Sequence, residues 1–172
     1  VEIIGKRGGV PIARPVELLR PSPHRRQPPC EYYGICGGCD WQHITYQQQL
    51  QYKHDIFIEC LNRIGKIEAI PEIEIVPSPE WEYRIRAQLK IDRDKKNLGF
   101  FKRKTTEVIQ IKTCPLLDKS ANRLLDSQEE IVSWLPQHLK QIKVITGSDG
   151  SIASHPVVRG HTLSTTEIRV GR

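Results

Sequence analysis

The clearest periodic signal in the chain lies at residues 84–91. Arg84, Arg86, Gln88 and Lys90 alternate with Ile85, Ala87, Leu89 and Ile91 without a fault. That two-residue period is the mark of a strand with one buried face. Arg93-Asp94-Lys95-Lys96-Asn97 reads as a hairpin turn, Leu98–Phe101 as the returning strand, and Glu107–Lys112 as the third strand of a meander. The pattern changes period twice. At Thr45-Tyr46-Gln47-Gln48 a capping box opens a helix whose Leu50, Phe57, Leu61 and Ile64 recur at helical spacing, with Gly65 as its stop. Cys60 falls on the apolar side of that helix and is expected to be a buried core thiol, with His54 at the surface or the boundary. Asp118 caps a second helix, expected from Lys119 to Leu135, with Ala121, Leu124, Leu125, Ile131 and Leu135 inward and Pro136 closing it.

The remaining segments are shorter. Val1–Ile4 and Val10–Ala13 read as strands around a Gly8-Gly9 turn. Pro21 to Pro29 is a stiff, proline-rich linker that disfavours helix. Ile73–Val76 is a possible strand within an acidic connection. Ile142–Thr146 and Ser151–Ser154 flank Gly147-Ser148-Asp149-Gly150, a hairpin signal, and Glu167–Val170 reads as a last strand. There is no internal repeat. The pattern as a whole predicts an α+β fold: an antiparallel sheet with two helices.

Composition adds a bias toward a polyanion. The 172 residues are 38% hydrophobic, with net charge +6 and a mean hydropathy of −0.45, and no apolar run is long enough to span a bilayer. The charge is uneven. Residues 1–29 carry six basic and two acidic side chains, residues 81–119 eleven and five, and residues 40–80 three and seven. Positive charge is thus concentrated in two segments, with a solvated lysine-rich face as the alternative reading. On the strand at 84–91 the cations share one face, where like charges repel and an anionic partner gains by binding. The candidate phosphate contacts are Arg84, Arg86 and Lys90, the cluster Lys102-Arg103-Lys104, and Arg25 and Arg26 in the linker. Packing in the core is expected for Phe100 and Phe101, with stacking on a base the alternative.

Five cysteines complete the inventory. Cys30, Cys36 and Cys39 are spaced C-x5-C-x2-C, and Cys114 lies far downstream before Pro115. Four thiolates make a full set for Zn²⁺ or for one iron–sulfur cluster. Either would tie together distant segments, so ligation would be a folding constraint. A disulfide framework would need an oxidising compartment and would leave one cysteine over. Buried unligated thiols fit poorly with three cysteines so close together. Trp41 could shield the site or pack as an ordinary core residue. There is no G-x-G-x-x-G motif, no P-loop and no local nucleophilic triad. The residues alone therefore describe a metal-stabilised RNA-binding module without catalytic residues. A four-cysteine zinc module for RNA or protein and an iron–sulfur electron carrier remain open.

Several motifs in order resemble the RumA/TrmA-like RNA uracil-5 methyltransferases. They are Pro28-Pro29-Cys30-x5-Cys36-Gly37-Gly38-Cys39, Trp41-Gln42-His43 with the glutamine-rich helix, Tyr83-Arg84-Ile85-Arg86-Ala87, Leu98-Gly99-Phe100-Phe101 and Cys114-Pro115-Leu116-Leu117. The resemblance spans roughly Leu19 to Leu135. It implies that Cys30, Cys36, Cys39 and Cys114 hold a [4Fe–4S] cluster, as in the ribosomal-RNA branch. It also implies that residues 1–20 are the end of a TRAM domain, an oligonucleotide-binding β-barrel, that 21–29 are a linker, and that 30–172 are a central RNA-recognition domain.

The family's S-adenosylmethionine domain, whose cysteine adds to carbon 6 of uracil so that carbon 5 can accept a methyl group, has no counterpart before Arg172. The chain is expected to be a fragment of such an enzyme, inactive alone. It would be cytoplasmic and monomeric, with ribosomal RNA favoured over transfer RNA as its partner.

Overall fold

The computed structural model describes residues 1–156, with only the backbone of His155 and Pro156. The expected strand at 167–170 lies outside the described residues. Among these, the chain forms seven strands and three helices. They are β1 (Glu2–Arg7), β2 (Val10–Arg14), α1 (Tyr46–Arg63), β3 (Arg86–Asp92), β4 (Asn97–Phe101), β5 (Val108–Gln110), α2 (Lys119–Asp126), α3 (Gln128–Trp134), β6 (Gln141–Thr146) and β7 (Ile152–Pro156).

β1 and β2 form an isolated antiparallel ribbon turned by Gly8 and Gly9, both at positive φ. All residues of both strands are exposed, and no barrel closes around them among the described residues. The other five strands make one antiparallel sheet in the order β5-β4-β3-β6-β7. The meander β3-β4-β5 is as the alternation predicts. The second hairpin, turned at residues 147–150, adds on the far side of β3, so β3 becomes the central strand.

The core lies on one face of this sheet. Ala87, Leu89 and Ile91 point inward from β3, Leu98 from β4, and Ile142 and Val144 from β6, toward α2 and α3. Asp118 caps α2 as expected: its Oδ1 accepts the Ser120 N–H at 2.8 Å. The single helix expected over 119–135 is in fact two, divided at Ser127. The break lets Gln128 turn inward, where its Oε1 accepts the Leu98 N–H at 2.9 Å and its Nε2 donates to the Leu125 carbonyl. Arg93, expected only as a turn residue, also serves α3. Its guanidinium donates to the Val132 and Leu135 carbonyls at 2.8 and 3.0 Å, satisfying orphaned acceptors at the helix end.

Several expectations are corrected toward the front of the chain. α1 forms where its periodicity predicts, but none of its residues is buried, and Phe57 and Ile64 are 49% and 70% exposed. Cys60 is accordingly exposed rather than a core thiol. Thr45 precedes the helix without a side-chain cap, so the capping box is absent, although the helix ends at Arg63, just before Gly65 as expected, with positive φ at Lys66. Residues 73–76 form no strand. Ile85 is also turned out, 51% exposed, because regular pairing of β3 begins only at Arg86.

At Gly99 the β5 backbone comes so close that an added Cβ would lie 1.7 Å from the Ile109 carbonyl oxygen. The strands cannot keep their register around any side chain there. Gly99→Ala is expected to destabilise the fold by about 3 kcal/mol, read as a drop in thermal midpoint. An unchanged midpoint would refute this packing.

Candidate metal centre and cationic face

The four cysteines singled out by spacing line one cavity, together with Tyr32, Gln42, Arg84, Phe100 and Ile111. All four are half-buried. Two local structures bring them there. The Cys30–Cys39 loop is folded by tight turns, with the Cys36 and Ile35 N–H groups both donating to the Tyr32 carbonyl and Gly34 at φ 85°. It is then stitched onto the end of β4. The Gly37 N–H donates to the Phe101 carbonyl at 3.0 Å, the Arg103 N–H donates to the Ile35 carbonyl at 2.8 Å, and Cys36 pairs with Lys102. A Cβ on Gly37 would meet the Phe101 oxygen at 3.2 Å, so this approach suits glycine.

Cys114 is held from α2. Asn122 Oδ1 accepts the Cys114 N–H at 2.8 Å, while its Nδ2 donates to the Cys114 and Leu117 carbonyls. The segment after it pairs with residues 82–84: the Glu82 N–H donates to the Pro115 carbonyl and the Arg84 N–H to the Leu116 carbonyl. Tyr32 closes the link, its hydroxyl accepting the Lys112 N–H at 3.2 Å.

The thiols feel one another. Burial first, and then the charges of Cys114, Cys39 and Cys36, push the Cys30 thiol above its ordinary value, against one backbone N–H from Tyr32 that lowers it. Cys36 is likewise raised, chiefly by burial, although the Gly38 N–H reaches its sulfur at 3.4 Å. Among the described residues, however, no three His, Cys, Asp or Glu side chains gather closely enough to hold a metal ion. The thiols are distributed around a cavity, not drawn onto a point.

Gln42 stands out on that wall. It is buried, and its Oε1 has no hydrogen-bond partner among the described residues. Gln42 belongs to the Trp41-Gln42-His43 motif but was given no role there, and Asn122 carries no sequence signal, so both roles were missed by sequence reasoning.

The candidate cations fall into two groups. Arg86 and Lys90 project from the outer face of β3, with Lys143 of β6 opposite Gln88 as a further cation that the pattern did not flag. Lys90 bonds Gln141 Oε1 and lies 4.8 Å from the centroid of the Phe101 ring. Arg25, Arg84, Arg86 and Lys104 have no carboxylate partner among the described residues. Arg26, Lys102 and Arg103 are engaged by partners within the chain, Lys102 and Arg103 at its surface. Arg26 pairs with Glu80, donates to the Gln42 carbonyl and lies over Trp81. Lys102 pairs with Glu107, and Arg103 with Asp40 and the Cys39 carbonyl. Phe100 is partly buried against the core, whereas Phe101 is 37% exposed.

No protein-family model matches the chain. Individual relatives do. An uncharacterized RNA methyltransferase of Aquifex aeolicus is 42% identical over 129 residues, 74% of this chain and 30% of its own length. The 23S rRNA (uracil(1939)-C(5))-methyltransferase RlmD of Histophilus somni is 33% identical over 156 residues, 87% of this chain and 35% of its own. The RlmD of Chromohalobacter salexigens is 35% identical over 144 residues, 81% and 30% respectively. The chain thus spans about a third of the length of the curated relatives it matches. It is homologous to the N-terminal portion of the RNA methyltransferases that include the RlmD 23S rRNA uracil-C5 enzymes, and it belongs to that family.

Proposed function

We propose that this chain is the RNA-recognition portion of an S-adenosylmethionine-dependent RNA uracil-5 methyltransferase acting on 23S rRNA in the cytoplasm. In this reading Cys30, Cys36, Cys39 and Cys114 hold a [4Fe–4S] cluster. Residues 1–20 belong to an oligonucleotide-binding TRAM domain, 21–29 are its linker, and 30–172 are the central domain of a monomer. Methyl transfer falls to the part of the enzyme that this chain does not span, and no catalytic residue is assigned here.

The observation that carries the reading is a shared residue. Arg84 both lines the cavity of the four thiols and leads into the strand whose outer face carries Arg86 and Lys90. A centre that fixes the cavity would therefore fix the register of the cationic face.

The residues present fit a four-thiolate centre. Zinc holds sulfur at about 2.3 Å, which brings tetrahedral sulfurs to within about 4 Å of one another. A cubane binds each thiolate to a different iron and keeps them farther apart. Four thiols line one cavity, the number that either centre takes. Gln42 adds to the fit: rotation of its carboxamide would present an N–H donor where the orphaned oxygen lies, and cluster sulfurs take such donors. When bound, the cluster would supply a covalent brace between segments distant in sequence; uracil methylation requires no electron transfer.

Protein purified without air is expected to contain about four iron and four sulfide per chain. Zinc without sulfide would instead establish the four-cysteine zinc module. Cys36→Ala should lose iron and thermal stability together, and a variant that keeps full iron content would remove Cys36 from the ligand set.

Arg86→Gln should weaken binding to all RNA sequences alike and reduce the slope of log affinity against log salt by about 1. An unchanged slope would take Arg86 off the RNA face.

The metal-free chain should be sensitive to alkali. The folded state holds the Cys30 and Cys36 protons more tightly than the unfolded chain, whose thiols titrate near 9.0. Stability is therefore full below about pH 9 and lost as pH rises through the raised values. The urea midpoint should fall as pH rises above about 9, and fall less in a Cys30→Ser/Cys36→Ser variant. Equal falls in both would place the titration elsewhere.

A further inference from the structure

Beside the thiol cavity lies a second, open groove lined by aromatic side chains. Trp41, Tyr46, Trp81 and Tyr83 all contribute to its walls, and it shares Gly38, Cys39, Gln42 and Arg84 with the cavity. Its walls are fixed by polar contacts. The Tyr46 hydroxyl donates to the Ser78 carbonyl at 2.6 Å and accepts the Ser78 N–H at 2.9 Å, which clamps the start of α1 to the opposite wall. Gln49 Nε2 donates to the Trp41 and Ile44 carbonyls, and residues 82–84 are paired to the Cys114 segment. Arg26 lies 5.3 Å from the centroid of the Trp81 ring, holding the indole in place. Tyr83 is 48% exposed on a backbone fixed at both neighbours. Tyr83 is thus presented to solvent, while Trp41, Tyr46 and Trp81 form half-buried walls.

The charge of the groove favours an anion. Its two carboxylates are both neutralised, Asp40 by Arg103 and Glu80 by Arg26. Its two cations, Lys53 and Arg84, have no carboxylate partner among the described residues. An aromatic floor with cations at its margin is the chemistry that recognises an unpaired nucleotide, because every base offers a π-face and every nucleotide a phosphate. A duplex offers phosphate but no free π-face here, its bases being already stacked and paired.

We propose that this groove takes an unpaired base of single-stranded RNA, stacked on Trp81 and Tyr83, with an adjoining phosphate on Lys53 and Arg84. The inference rests on the RNA-recognition reading above and extends it: the cationic face of β3 binds backbone, whereas the groove selects for an extruded base.

The test uses the chain with its metal centre intact and two probes, octauridylate and an RNA duplex of eight base pairs. Tyr83→Ala and Trp81→Leu should each weaken octauridylate binding about five- to a hundredfold. Neither should change the salt slope or the affinity for the duplex. Tyr83 is exposed, so its variant should fold normally by thermal midpoint, and it decides alone if Trp81→Leu does not fold. Octauridylate binding that is salt-dependent yet indifferent to both substitutions would overturn the groove and leave the RNA-binding reading standing. Failure of the unaltered chain to bind either probe would overturn both.

Discussion

Apolar burial holds together only the second half of the described chain. Every buried apolar side chain among the described residues lies at Leu89 or beyond, on the inner face of the five-stranded sheet or on the elements packed against it. A long helix in the front half buries none of its residues completely. What fastens this front half is backbone pairing. The Cys30–Cys39 loop extends the end of β4, the linker pairs with residues 43–45, and residues 82–84 pair with the Cys114 segment. Hydrogen bonds at a surface contribute little net stability each. A centre that joined four sulfurs across these junctions would supply what the core does not, and the placement of the thiols becomes intelligible on that ground.

The same scarcity of apolar contact explains how the cations are divided. Arg26 and Arg103 lie where the front half meets the sheet, and each is paired with a carboxylate and a backbone carbonyl at the junction. Their guanidinium forks suit that bidentate use. Arg86, Lys90 and Lys143 sit instead on the outer face of a strand pair already fastened by its inner face. Arg86 and Lys143 have no carboxylate partner among the described residues. Net positive charge in the sequence therefore overstates what the surface can offer to phosphate, and the strand face carries the better share.

The thiol cavity and the aromatic groove are neighbours built from common residues. Gly38, Cys39, Gln42 and Arg84 belong to both. Displacing the Cys36–Cys39 turn would shift the wall of the groove with it. Trp41 fits this arrangement better than either role expected for it. It is only half-buried, meets Tyr52 edge-on at 6.3 Å between centroids, and lines the groove without lining the cavity.

The local sequence by itself determined the elements whose geometry is set by near neighbours. The alternation at 86–91, the turn at 93–96, the Asp118 cap and the hairpin at 147–150 all depend on contacts a few residues apart, and all are found where the pattern puts them. Spacing also singled out the four cysteines that line one cavity. Tertiary structure alone decided the rest. Helical periodicity in α1 shows which residues share a face, but not whether anything packs on it, so Phe57 and Cys60 came out exposed. The pattern of 119–135 could not reveal that Gln128 would break a helix to satisfy a strand amide thirty residues away. Nor could a basic linker show that Arg26 would be captured by Glu80 and Trp81, since those partners are more than fifty residues distant. Period and capping are properties of a segment, whereas burial and pairing belong to whichever segments the fold brings together.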